Sequence, residues 1–120
     1  MSTPPTTDLF RNETAPKAFK AGEKIFMEGQ PGEYMYGVIS GQVEITKNGK
    51  VVDTVGPGGI FGEMALIDKA PRSASAVAKT DCTAAQITEK RFFFLVQQTP
   101  NFALHLMRVL TDRVRNHTSA

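Results

Sequence analysis

Pro57-Gly58-Gly59-Ile60-Phe61-Gly62-Glu63-Met64-Ala65-Leu66-Ile67-Asp68-Lys69-Ala70-Pro71-Arg72-Ser73-Ala74-Ser75-Ala76 is the stretch on which the reading of this chain turns. A glycine-rich approach leads into a short helix-forming run, Glu63 to Ile67, whose start offers backbone N–H groups. Such an end attracts an anion, because unpaired donors and the helix dipole point at it together. Gly62 lets the backbone come close to a ligand. Pro71 interrupts the loop, and Arg72 opens the next strand, where a planar guanidinium can grip two phosphate oxygens at once. Glu63 would repel an anion that it faced, but a carboxylate is a natural acceptor for a sugar hydroxyl.

Outward from this stretch the chain divides by glycine content. All ten glycines lie between Gly22 and Gly62, which means repeated tight turns there and none after. Between the turns sit short runs rich in β-branched and aromatic residues: 24–27, 35–40, 42–47 and 51–55, then 73–79 and 83–88. Short strands separated by turns predict a β sandwich or roll. Asn48-Gly49, between EITK and KVVD, predicts a tight antiparallel hairpin.

From Thr88 the period changes. Thr88 followed by 89–98 reads as a capped amphipathic helix with Phe92, Leu95 and Val96 on one side. Pro100 ends it or starts the next. Residues 101 to about 115 then place Phe102, Leu106, Val109, Leu110 and Val114 on a stripe. The expected fold class is mainly β: an antiparallel β roll with a short phosphate-binding helix and two closing α-helices. Residues 1–16 are expected to be an N-terminal segment, partly disordered, with one helical turn over 8–14. Residues 17–117 form the expected domain.

The bulk numbers fit one domain. The chain has 120 residues, with 14 basic and 12 acidic side chains and a net charge of +2. The basic groups after residue 83 are too dilute for a nucleic-acid footprint, which needs Lys and Arg clustered on one face. No apolar run approaches the ~20 residues that span a bilayer, and the N-terminus lacks a secretory pattern, so no membrane span and a cytoplasmic location are expected. A single cysteine, Cys82, agrees with a reducing compartment. Met1 and the polar tail read as the two ends of a whole small protein.

A ligand carrying a singly charged phosphate beside a free 2′-OH would satisfy both Arg72 and Glu63, and a 3′,5′-cyclic nucleotide has that pair of groups. The run FGEMALIDKAPRSASA resembles the phosphate-binding cassette of cyclic nucleotide-binding domains. FKAGEKIFMEGQPGEYMYGVISGQVEI is similar to that family's opening strands, AVAKTDCTAAQI to its closing strands, and FFFLVQQTPNFALHLMRVL to its last two helices. The resemblance implies a jelly-roll-like double-stranded β-helix. It implies that Glu63 binds the ribose 2′-OH, that Arg72 pairs with the cyclic phosphate, and that the backbone of Gly62 and Ala65 donates to the same group, with Met64 among the ligand-binding residues. Ser73 falls where family members with a hydroxyl contact the phosphate or the purine. Ile45, Val52 and Phe61 are candidates for an apolar wall beside the sugar and base. A lid helix over the base nominates Arg113, His117 and Thr118.

The implied function is reversible binding of a cyclic purine nucleotide, cyclic AMP in preference to cyclic GMP. The chain would be a stand-alone sensor with no cofactor and no catalysis, acting on a protein partner in trans without contacting nucleic acid. The main alternative is a protein-interaction module of the same fold with no ligand; the retained Glu63 and Arg72 count against it. A hydrolase would need a metal cluster or a general base with an activated water, and no such pattern is visible. His105 and His117 both lie near the C-terminal helix, which counts against a metal-binding β roll with several His ligands on its strands. Cys82 reads as a buried strand thiol, and Phe92-Phe93-Phe94 as core packing.

Overall fold

Asn48 and Gly49 adopt φ of 53° and 78° and join the strands Val43–Lys47 and Lys50–Val55 in a computed structural model that describes Phe10, residues 16–67 and residues 69–118, with side chains as far as Asp112 in the last helix. Two consecutive left-handed residues match the twist of the strands they connect, which is why Asn-Gly specifies this hairpin. Its register runs from Lys47↔Lys50 to Val43↔Val55, with an irregularity between Ile45 and Thr46.

The chain forms two compact units, Met1–Glu89 and Lys90–Ala120. The first contains β1 (Pro16–Phe19), β2 (Lys24–Phe26), β3 (Met35–Ser40), β4 (Val43–Lys47), β5 (Lys50–Val55), β6 (Ile60–Phe61), α1 (Met64–Ile67), β7 (Ser75–Ala78) and β8 (Cys82–Ile87). The strands build two antiparallel four-stranded sheets, ordered β1-β8-β3-β6 and β2-β7-β4-β5. β1 is an edge strand, where a proline can open the strand without costing a central ladder bond. Neither β1 nor the two-residue β6 stands out in the sequence, because both are too short to show a period.

The core draws on both sheets. Phe19, Tyr36, Val38, Phe61, Cys82 and Ala84 come from the first; Val43, Val55, Ala76 and Ala78 come from the second. Burying each large apolar side chain contributes roughly 1.5–3 kcal/mol, and the alanines let the two sheets approach. In β3 four successive residues, Met35 to Val38, are buried, so both faces of that strand are covered. Phe10, 1% exposed, lies over Gly37, where an added Cβ would overlap its ring.

The second unit holds α2 (Glu89–Gln98), whose first residue belongs to the other unit, and α3 (Pro100–Thr118). Pro100 starts α3, since the first helical position has no N–H to lose. The Thr99 carbonyl accepts from Phe102 N at 3.0 Å and Ala103 N at 3.3 Å. Phe92 and Phe102 meet edge to face, with centroids 6.1 Å apart. Two expectations for α2 need correction. Of the three consecutive phenylalanines only Phe92 is buried, while Phe93 and Phe94 are 55% and 48% exposed, and Val96 is exposed beside buried Leu95. At 100° per residue, three neighbours cannot share one face. The expected helical turn over 8–14 lies outside the described residues, Phe10 apart. So do the side chains of Val114 and of Arg113, His117 and Thr118, the lid candidates. Among the described residues no helix is long and apolar enough to cross a membrane.

Candidate functional site

Gly62 sits at φ 76°, between β6 and α1. A side chain there would be strained, and its Cβ would stand 2.7 Å from Nη1 of Arg72 and 3.2 Å from the Phe26 ring. The single turn of α1 closes on the Glu63 carbonyl, which accepts from Leu66 N and Ile67 N, both at 3.1 Å. The helix begins at Met64, one residue later than expected. Glu63 is 2% exposed and Ala65 is buried, whereas Met64 turns outward at 42% exposure.

Arg72 is the other buried charged residue of the described chain, at 6% exposure. The sequence places it in the opening of a strand; the structure starts β7 three residues later, at Ser75. The backbone of Arg72 pairs instead with the loop after β2: Gly29 N donates to the Arg72 carbonyl and Arg72 N to the Gln30 carbonyl, each at 2.8 Å. Its guanidinium donates from Nη1 to the Gly62 carbonyl at 2.9 Å and from Nη2 to the Tyr34 carbonyl at 2.7 Å. It lies over the Phe26 ring, 4.0 Å from the centroid, and 6.0 Å from that of Tyr36. Nε is buried and has no hydrogen-bond partner.

No carboxylate pairs with Arg72 among the described residues. Burial holds its pKa below the ordinary guanidinium value, and Tyr36 acts in the opposite direction. The group nonetheless stays charged at neutral pH. A buried cation is costly unless it is paired. This one is stabilised by two carbonyl dipoles and aromatic faces, with Nε unpartnered, so the site is short of a negative partner.

The structure thus brings together Gly62, Ala65 and Arg72. Phe61, 1% exposed, stacks on Tyr36 at 5.0 Å and 9° and lies 6.0 Å from Phe26, so it backs the aromatic group under Arg72. Ile45 is half-buried against the core. Val52 is 53% exposed on the edge strand β5, at the register irregularity. Ser73 is exposed. Sequence reasoning missed Phe26, Gly32 and Tyr34, all in or beside the EGQPGE loop; its two glycines were the available signal. Lys69, at φ 55°, pairs with Glu89 at the surface. No group of three or more His, Cys, Asp or Glu able to hold a metal occurs among the described residues.

Residues 16–99 match the family model of the cyclic nucleotide-binding domain. The CRP-like cAMP-activated global transcriptional regulator of Mycobacterium tuberculosis is 31% identical over 105 residues, covering 83% of this chain and 47% of that protein. The crystal structure of the Thermus thermophilus catabolite activator protein superposes with a TM-score of 0.78 at 32% identity, covering 97% of this chain and 57% of that one. A structure from a cyclic-GMP-dependent signalling pathway that regulates bacterial phytopathogenesis gives 0.75 at 28% identity, with 97% and 96% coverage. The chain spans about half the length of the mycobacterial regulator and of the Thermus thermophilus cyclic AMP receptor protein that it matches. With a paired-sheet β roll, a glycine-to-arginine cassette around a buried cation, and a family match over most of its length, the chain belongs to the cyclic nucleotide-binding domain family.

Proposed function

We propose that this domain reversibly binds a 3′,5′-cyclic purine nucleotide, cyclic AMP in preference to cyclic GMP, as a stand-alone cytoplasmic sensor that signals to a protein partner in trans and catalyses nothing. The observation that carries the reading is Arg72: a buried guanidinium with no acidic partner among the described residues and an unused Nε donor. A cyclic phosphate supplies one negative charge and two exocyclic oxygens. Two of the five guanidinium donors are engaged by Gly62 and Tyr34, which leaves three for an anion.

In this reading the Gly62 and Ala65 amides donate to the phosphate and Glu63 accepts from the ribose 2′-OH, with Met64 alongside. Ser73 contacts the phosphate or the base, and Ile45, Val52 and Phe61 form or back the apolar wall. The preference for cyclic AMP is supported by the name of the mycobacterial relative; the relative from a cyclic-GMP pathway makes the base the point to measure. The free cysteine, Cys82, fits a reducing compartment.

Calorimetric titration of the chain with cyclic AMP and cyclic GMP, alongside Arg72→Ala, tests the proposal. Micromolar or tighter binding, stronger for cyclic AMP and lost in the variant, is the expected result. Absence of binding to either nucleotide would overturn it and leave a protein-interaction module of the same fold.

A further inference from the structure

The proposed phosphate ligand, Arg72, is held almost entirely by a segment outside the cassette. Its backbone exchanges hydrogen bonds with Gly29 and Gln30, and its Nη2 donates to the Tyr34 carbonyl. Its guanidinium is centred 4.0 Å above the ring of Phe26. On another side stands Gly32, where an added Cβ would overlap that of Ala65 and lie 2.8 Å from both Cζ and Nε of Arg72. The guanidinium therefore occupies a slot with an aromatic floor, a side-chain-free wall and two carbonyl stops.

We infer that Phe26 and Gly32 are positioning residues for anion binding, fixing the plane of the Arg72 guanidinium so that Nε and the outer Nη protons face the phosphate. This rests on the proposed role of Arg72. The physical reasons are separable. The face of an aromatic ring attracts a cation, and more strongly where water is excluded. It does so without consuming an N–H donor, so the cation is held while its hydrogen-bonding capacity is kept for the ligand. A carboxylate in the same place would hold Arg72 too, but would neutralise it and compete with the anion. Gly32 acts by absence: any side chain there takes the space of Nε, the one guanidinium nitrogen with no partner. Phe26 is half-buried and also touches the core aromatics, with Phe61 and Tyr36 each 6.0 Å away. The test must therefore separate packing from the cation contact.

The experiment compares Phe26→Leu, Phe26→Trp and Gly32→Ala with the unaltered chain, using cyclic AMP as the probe in calorimetry and urea unfolding as the control for folding. Leucine keeps apolar bulk but has no π face; tryptophan restores the face. The expected result is a loss of affinity of about 3- to 20-fold in Phe26→Leu, recovery in Phe26→Trp, and a loss of at least about tenfold in Gly32→Ala, in chains that remain folded. Full affinity in a folded Phe26→Leu, with Arg72→Ala inactive, overturns the positioning role and leaves the function standing. Should the unaltered chain bind no cyclic nucleotide, the functional reading fails, and an independent readout then decides the slot. The Nε–H proton of Arg72 is expected to be shifted by the ring and protected from solvent exchange in 15N NMR, and to lose both in Phe26→Leu. An unchanged Nε–H signal in that variant overturns the inference in either case.

Discussion

The Gly62 carbonyl accepts a hydrogen bond from Nη1 of Arg72 at 2.9 Å, so the two ends of the cassette are tied by the side chain assigned to the ligand. Charge alone cannot reproduce this tie. Lysine keeps the positive charge but is a point donor without the planar fork that reaches Gly62, Tyr34 and an anion together. Arg72→Lys is expected to lower affinity for cyclic AMP at least about tenfold, about 1.4 kcal/mol, and Arg72→Ala about a hundredfold or more, because hydrogen bonds to charged groups contribute about 1.5–3 kcal/mol each. Calorimetric titration reads both, and a lysine variant equal to the unaltered chain would contradict the bidentate role.

Two glycines with almost the same φ give a controlled comparison. Gly49 and Gly62 sit at φ 78° and 76°, but a Cβ at Gly49 meets nothing within 4 Å, whereas one at Gly62 meets Arg72. Both alanine variants should lose roughly 1 kcal/mol or more of stability in urea, the cost of a side chain in the left-handed region. Only Gly62→Ala should also lose cyclic nucleotide affinity.

Phe10 is buried to 1% over Gly37 in β3. Phe10→Ala is expected to cost about 3–5 kcal/mol, a large share of the roughly 5–15 kcal/mol that holds a domain together. By contrast, Phe93→Ser and Phe94→Ser, at exposed positions of α2, should stay within about 0.5 kcal/mol. Equilibrium unfolding of the three variants checks the ranking.

Cys82 gives a pH signature. Burial pushes its thiol above the ordinary value, and the carboxylates of Glu23 and Asp81 push it the same way. A thiol with a raised folded-state pKa favours folding most below the unfolded-state pKa, and that contribution is lost as pH rises through the folded value. Stability should therefore fall more steeply above about pH 8.5 in the unaltered chain than in Cys82→Ala, as followed by thermal melts across the alkaline range. Alkylation of Cys82 by iodoacetamide at neutral pH should be slow in the folded chain, because the thiolate is the reactive form.

The sequence by itself determined the local elements and the identity of the cassette. Asn48-Gly49 specified its hairpin because only a few residue pairs accept two positive φ values. The 3.6-residue period after Thr88 marked α2 at the bounds it occupies, Glu89–Gln98. Gly62, Glu63 and Arg72 were visible because their chemistry is unusual at that spacing. What only the tertiary structure decided is what surrounds them. Strand pairing folds the loop 29–34 back onto Arg72 from about forty residues earlier in the chain, and no local pattern encodes which backbone carbonyls or which ring will meet a distant guanidinium. Phe26 therefore reads in sequence as one more strand aromatic and Gly32 as one more turn. The helices make the same point, since the apolar stripe placed Phe92 with Leu95 on one side but could not show that Phe102 of α3 is the ring that Phe92 meets. Periodicity and turn chemistry are properties of neighbouring residues, while burial and contact are properties of residues that meet only after the chain has closed.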